Sequence, residues 1–329
     1  MTPTRQLPTA AVTVPTVTSP VATALDVPET TVPHPADVRP VVVGVDGSQA
    51  SDRALDWAID EAQRRGLPLR LLHAREVMAY SASVLPVDPV GWDDPQWVLQ
   101  AAHARVTELA PHQALVEEDV LGTPASTALI TASSRADTIV VGARKHGNLG
   151  AVVLGSTSLR VASHAACPVV VIHDMAPATA TSPRIVVGVD GSSTSDDALA
   201  YAFNRAHEQG LPLTVVHAWP GNLTVEIMRV TKAVADEVRA AAVNAQLAAV
   251  QAQLAPWREK LPEVAVHVVV PAGNPQQALV EESATASLVV VGSRGLGSVR
   301  GIFLGSVSEG VLHHALCPVA VVRPTGLGD

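Results

Sequence analysis

The chain has 329 residues, 47% of them apolar and 16% charged, which is too long for one ordinary domain and too apolar for a disordered chain. A formal net charge of -9 without a dense Lys/Arg run argues against a nucleic-acid partner, and no stretch approaches the roughly 18 to 20 apolar residues of a membrane helix. Two cysteines, Cys167 and Cys317, exclude a disulfide framework and a four-cysteine zinc site.

Residues 1 to 37 carry seven prolines and nine threonines with no helical or strand periodicity. Such a segment cannot bury a core, so a disordered tail is expected. Because its start, Met1-Thr2-Pro3-Thr4-Arg5, leads into Thr/Pro sequence rather than an apolar signal core, a cytoplasmic location is expected. The first apolar run, Val41-Val42-Val43-Gly44-Val45, ends on Asp46-Gly47-Ser48, and Gly66-Leu67-Pro68-Leu69 leads into a second that closes at His73-Ala74. Further on come Val140-Val141-Gly142, Leu154-Gly155-Ser156 and Cys167-Pro168-Val169.

All of these return. Ile185-Val186-Val187-Gly188-Val189-Asp190-Gly191-Ser192 and Gly210-Leu211-Pro212-Leu213 repeat the first two at an offset of 144 residues. Val290-Val291-Gly292, Leu304-Gly305-Ser306 and Cys317-Pro318-Val319 repeat the rest at an offset of 150. The drift falls between the second and fourth strands, and length variation belongs in surface connections. Copies of about 140 residues are domain-sized, whereas a solenoid would need a shorter period and more units. The expected organisation is a tail over 1–37, a domain over 38–174, a linker over 175–182, a second domain over 183–323 and a short tail over 324–329.

In the second copy the apolar runs are 185–189, 213–218, 264–270, 287–291 and 318–322, with helical candidates near 194–209, 225–260, 275–285 and 306–316. Strands apolar throughout rather than in alternation are covered on both faces, which predicts a parallel sheet with helices on each side. Each copy is therefore expected to be an α/β doubly wound domain with a five-stranded parallel sheet. Such sheets bind ligands outside the carboxyl ends of their strands, where strand order reverses.

Two features sit at those ends. Asp46 and Asp190 each follow an apolar strand and precede Gly-Ser. Such a carboxylate either caps the following helix or contacts a ligand, such as a ribose hydroxyl, a base edge or a metal ion. The second feature is Gly292-Ser293-Arg294-Gly295, then nine residues, then Gly305-Ser306 opening a helix. Glycines let backbone approach a ligand closely, and a helix N-terminus offers unpaired amides with a favourable dipole, together an anion cradle suited to a phosphate chain. The plainer alternative is a loop whose serine caps the helix. No G-x-x-x-x-G-K-[ST] or G-x-S-x-G occurs, and Gly295-Leu296-Gly297-Ser298-Val299-Arg300-Gly301 is one residue too long for the dinucleotide fingerprint.

With V-V-G-V-D-G-S near the start of each copy, G-x2-G-x9-G-[ST] in the second and C-P-V-x-V-[IV] closing both, the chain resembles the universal stress protein family, in particular its tandem two-domain members. The resemblance implies a five-stranded doubly wound domain that binds ATP where the glycine motif is kept, without a strongly established reaction; whether magnesium or manganese accompanies the nucleotide is not legible in the sequence. Carried over by position, Gly292, Gly295, Gly305 and Ser306 would hold the phosphates, joined by Val307 and Ser308 at the helix start and by Arg294. Gly188 and Asp190 would lie beside base and ribose, and Ala218 would meet the adenine edge through its backbone. The first copy matches at Gly44, Asp46, Ala74, Gly142, Gly155, Ser156 and Thr157 and departs at Lys145, which stands for the second glycine.

If that position requires a positive φ, lysine costs about 1 kcal/mol or more of strain, and its side chain either fills the phosphate space or pairs with a phosphate. The second site is thus expected intact and the first weakened. His73 and His217, His164 and His314, and His313 read as structural histidines rather than metal ligands. Cys167 and Cys317 read as small core residues. The segment 232–254, with Val234, Val238, Val243, Leu247 and Val250, is expected to be a core-facing helix.

The leading reading is an ATP-binding stress or regulatory protein with little or slow hydrolysis, since neither copy places a clear general base near the phosphate loop. The competing reading is an interaction scaffold without nucleotide that dimerises through its edge strands 169–173 and 319–322. The resemblance implies that these edges pair between the two copies. A homodimer of the whole chain is a further expectation, and no protein partner is legible.

Overall fold

A computed structural model describes residues 38–75, 95–145, 152–173, 183–219, 232–295 and 304–324. The Thr/Pro tail, the linker and residues 325–329 lie outside the described residues.

In the N-terminal copy the elements run β1 (Val41–Gly44), α1 (Gln49–Arg65), β2 (Leu69–Arg75), α2 (Pro95–Leu109), β3 (Leu115–Leu121), α3 (Ala125–Ser133), β4 (Thr138–Gly142), β5 (Arg144–Lys145), β6 (Val152–Val153), α4 (Ser156–His164) and β7 (Val169–Ile172). The C-terminal copy runs β8 (Ile185–Gly188), α5 (Ser193–Gln209), β9 (Leu213–Val216), α6 (Lys232–Lys260), β10 (Val266–Val269), α7 (Pro275–Ser283), β11 (Leu288–Gly292), α8 (Ser306–His314) and β12 (Val319–Val322). Apart from the short β5–β6 ladder, the strands form one ten-stranded sheet in the order β10-β9-β8-β11-β12-β7-β4-β1-β2-β3. Within this sheet the pairing inside each copy is parallel, and the antiparallel pair is β7 with β12, which joins the copies. The expected pairing of those two edges is therefore found, and neither strand is left as an edge for a further chain. The sheet's own edges are β3 and β10.

The apolar strands are explained by burial on both faces. Successive side chains point to opposite sides, so Val41 and Val43 join one core with Leu55 and Ile59 of α1, while Val42 joins the other with Leu129 of α3 and Val161 of α4. Each core continues across the seam: Ile185 and Val187 with Phe203 of α5 on the first face, Val186 and Val289 with Leu279 of α7 and Leu312 of α8 on the second. Burying each such side chain stabilises the fold by about 1.5 to 3 kcal/mol before entropy is counted.

Local rules set the helix ends. Ser48 and Ser192 cap α1 and α5 by accepting from the amides of Ser51 and Ser195. Gly66 (φ 61°) and Gly210 (φ 62°) end these helices in the left-handed region, where a Cβ would be strained, and Pro68 and Pro212 follow. Asn274 caps α7 with Pro275 in its first turn.

One expectation needs correction. Only the C-terminal part of α6 faces the core: Val250 and Leu254 are buried and Trp257 stacks on Phe203 at 5.4 Å, whereas Val234 and Val238 are exposed. The reason is length. Twenty-nine helical residues extend about 43 Å, whereas the four-residue strands beneath span about 13 Å, so the helix overshoots the sheet. Residues 225–231 of that expected helix lie outside the described residues. Among the described residues no helix is long and apolar enough to cross a membrane.

Candidate functional site

Strand order reverses between β8 and β11, and at their carboxyl ends a cleft of about 410 Å³ opens. It is lined by Gly188, Asp190, Ala218, Gly292, Arg294, Gly295, Gly305, Ser306, Val307 and Ser308, every residue expected in this copy, and also by Val189, Ser195, Val216, Pro275, Leu279 and Val291.

Asp190 stands where the chain leaves β8. Its Oδ1 accepts from the Ser192 amide (3.0 Å) and hydroxyl (2.6 Å), an Asx turn continued by Gly191 at φ 81°. The helix is capped by Ser192, not by the aspartate, so the carboxylate orients the cap and remains part of the cleft wall. Its other oxygen faces Gly295, where an added Cβ would collide with it. That collision, not backbone handedness, is what Gly295 avoids, because its φ is not among the positive ones.

The other strand-end glycines make room for helices. A Cβ on Gly188 would come 2.9 Å from Leu279 Cδ1 of α7, and one on Gly292 would come 2.8 Å from Thr194 Cγ2 of α5. These glycines let helices close over the sheet edge, and the cleft remains beside them.

The α8 N-terminus forms the opposite wall. The Gly305 amide donates to the Ser293 carbonyl at 2.8 Å, and the first intrahelical bond runs from Glu309 N–H to Gly305 O at 2.9 Å. The amides of Ser306, Val307 and Ser308 therefore have no acceptor within the helix, and the positive end of the helix dipole lies at the cleft. The Ser308 hydroxyl donates to the Gly292 carbonyl, which ties the helix start to the strand end.

Ala218 supplies a polar edge. Val216 accepts from Val189 on the β8 side, and His217 donates to Val269 on the β10 side. Backbone groups alternate along a strand, so those of Ala218 face the β8 side again, where β8 has already ended. The remaining wall, Val216, Leu279, Val291 and Pro275, is apolar. Among the described lining residues the charges are Asp190 and Arg294.

The N-terminal cleft is smaller, about 300 Å³, and is lined by Gly44, Asp46, Ala74, Gly142, Gly155, Ser156 and Thr157, together with Ser48, Ser51, Leu129 and Ser158. Asp46 holds Ser48 as Asp190 holds Ser192, and Ser158 Oγ donates to Gly142 O at 2.7 Å. The backbone of Lys145 is extended and pairs with Val152 in the β5–β6 ladder. A left-handed backbone at this position is thus not required in either copy.

His73 and His217 donate from Nδ1 to the carbonyls of Val45 (2.7 Å) and Val189 (2.9 Å), bracing the turn after the first strand of each copy. His164, His313 and His314 stand in the last turns of α4 and α8. Burial pushes both thiols, Cys167 and Cys317, up to about 12. Of the lining residues that sequence reasoning missed, Leu279 and Leu129 carried no motif; only the helix packing against the strand end brings them in. Ser195 and Ser51 were detectable as the third residue after a capping serine.

Both copies match the model of the Universal stress protein family, over residues 37–173 and 182–323. A universal stress protein of Mycobacterium bovis is 36% identical over 299 residues, covering 86% of this chain and 96% of that protein. One of Mycobacterium tuberculosis is 35% identical over 301 residues, with the same coverages. Among solved structures, a universal stress protein from Archaeoglobus fulgidus gives a TM-score of 0.56 at 22% identity, covering 87% of this chain and 98% of that one. A functionally unknown protein from Pseudomonas aeruginosa gives 0.63 at 16% identity, covering 88% and 93%. At these identities the likeness to solved structures is one of fold.

Proposed function

The chain belongs to the universal stress protein family, and on that premise we propose that its C-terminal cleft binds ATP and that occupancy stabilises a conformation other proteins sense. The observation that carries this reading is the convergence of three unlike groups on one cleft: the open amides of Ser306 to Ser308, the Asp190 carboxylate and the backbone edge of Ala218. The amides and the helix dipole suit the phosphates, with Arg294 beside them. Asp190 suits a ribose hydroxyl, and Ala218 offers a donor and an acceptor to the edge of adenine, whose faces fit between Leu279, Val216 and Val291. The volume of about 410 Å³ lies in the range of small-molecule pockets.

The residues also fit the close approach of a phosphate chain, because Gly295 and Gly305 put bare backbone where a side chain would stand. A magnesium or manganese ion would come with the phosphates, since Asp190 is the one carboxylate among the described lining residues and an all-protein cage needs several. The same shortage of a general base makes hydrolysis slow.

The smaller N-terminal cleft, with Lys145 in place of the second glycine, binds more weakly. Calorimetry of ATP into the full chain tests this: one strong and one weaker event are expected, with adenine nucleotide copurifying. An empty protein with no heat at millimolar ATP, weaker than about -4 kcal/mol of binding, would return the chain to the scaffold reading.

A further inference from the structure

The seam between the copies is two-fold in character. β7 and β12 run antiparallel with Val169 opposite Val321, Val170 opposite Ala320 and Val171 opposite Val319, and the same six positions are equivalent in the repeat. Such a ladder carries no information about which copy stands on which side. β7 against the β7 of a second chain would form the same hydrogen bonds between equally apolar strands.

The helices beside the seam break that symmetry. Ala58-Ile59-Asp60-Glu61-Ala62 of α1 corresponds to Ala202-Phe203-Asn204-Arg205-Ala206 of α5, and Glu61 and Arg205, the equivalent residues, touch each other across the seam. A residue meets its own equivalent only at a two-fold axis. Their side chains are 1% and 4% exposed, so neither charge is left to water. Arg205 also bonds Glu208 at 3.0 Å and lies over the Tyr201 ring at 4.7 Å, while Arg64 stands 3.5 Å from Glu61. Arg64 and Glu208 are themselves equivalent positions of opposite charge.

We propose that this reversed pair at the axis is a partner-selection device: Glu61 against Arg205 makes the N-terminal copy pair with a C-terminal copy and disfavours pairing like with like between chains. In an N-terminal homo-pair two buried Glu61 carboxylates would oppose each other. In a C-terminal homo-pair two Arg205 guanidiniums would, and guanidinium cannot shed its charge. Arg64 would stay beside Glu61 and Glu208 beside Arg205 in either homo-pair, so the penalty there is the buried repulsion of like charges at the axis together with the loss of the Glu61–Arg205 contact, whereas the matched pair is close to neutral against an apolar pair. The device therefore acts through the penalty on wrong pairings more than through the gain on the right one.

The test uses the full chain. Glu61→Arg alone and Arg205→Glu alone should each lower the melting temperature by about 5 to 10 °C, while the exchange Glu61→Arg/Arg205→Glu should recover half or more of the summed loss. Recovery stays partial because Arg64 and Arg65 remain beside position 61. Native mass spectrometry then reads charge selection at the axis. When the Arg205→Glu chain is mixed with the Glu61→Arg chain, mixed two-chain species should exceed the statistical proportion, since only the mixture restores opposite charges at both axes. Loss in the exchange equal to the sum of the single losses, or mixed species at or below the statistical proportion, overturns the proposal. If a reversed chain is recovered only as aggregate, Glu61→Gln, Arg205→Gln and their combination replace it. The combination must then be more stable than the worse single variant, and the opposite order overturns the proposal equally.

Discussion

In the C-terminal copy the loop after the fourth long strand reads Ser293-Arg294-Gly295; in the N-terminal copy it reads Ala143-Arg144-Lys145. Around that difference the copies are nearly superimposable in their local geometry. Ser48 caps its helix at φ -84°, ψ 153° and Ser192 at φ -79°, ψ 157°. Each is held by an aspartate, and in each copy a serine hydroxyl, Ser158 or Ser308, ties the last helix to the glycine ending that strand. Caps and helix contacts must satisfy buried groups and so leave little freedom. The loop bordering the cleft is tied down at its first residue, Ser293 or Ala143, but its third, Gly295 or Lys145, caps no helix, and this is where capacity for a ligand can change without unfolding the copy.

The largest expected effect breaks the better cleft. Gly295→Glu places a carboxylate against Asp190 and the phosphate path, and calorimetry should show binding in the C-terminal copy weakened more than about 100-fold with the weaker event unchanged. Unaltered stoichiometry and affinity would mean that the cleft has been assigned to the wrong ligand. Next comes packing. Gly188→Ala puts its Cβ 2.9 Å from Leu279, and Gly44→Ala puts its Cβ 3.2 Å from Leu129. The first should cost about 1 to 3 kcal/mol and the second under about 1 kcal/mol, read as urea midpoints; equal losses would refute the distinction.

Lys145→Gly should then sharpen the comparison from the other side by tightening the weaker ATP event about three- to tenfold, an effect of roughly 1 kcal/mol. No change would show that lysine is not what limits that cleft. The smallest effect concerns pH. His173 and Arg323 occupy equivalent positions, and each reaches a carbonyl of the other copy, those of Leu312 and Ser163. Burial lowers the His173 pKa below the ordinary value near 6.5, against the pull of the Leu312 carbonyl. The unfolded chain therefore takes up the proton first, and stability should be complete above that value and decline as pH falls through it. Melting temperatures of the wild type and His173→Gln from pH 7.5 to 5.5 should show a shallower decline in the variant; parallel curves would rule His173 out.

Much of this was open to reading in advance. Runs such as Ile185 to Val189 were apolar at every position, which only a strand covered on both faces satisfies, and Ser-capped helices ending in glycine marked their own limits. Other features were hidden for physical reasons. Nothing in the composition near Val234 distinguishes a helix over the sheet from one that has run past it. Gly188 and Gly292 looked like ligand-approach glycines, but the nearest atoms to their missing side chains belong to Leu279 and Thr194, a fact of helix docking. The expected strain at Lys145 presumed a left-handed backbone that neither Gly295 nor the β5–β6 ladder adopts.

Sequence alone determined the repeat, the two-sided burial of each strand and the helix termini, because these depend on neighbours within a few residues and on a period that polarity records. Tertiary structure alone decided which distant groups meet. Glu61 and Arg205 are unremarkable charges on two separate helices until the seam brings them together at its axis. Likewise the amides of α8, the Asp190 carboxylate and the edge of Ala218 face one cleft only because parallel strands all end on the same side of the sheet.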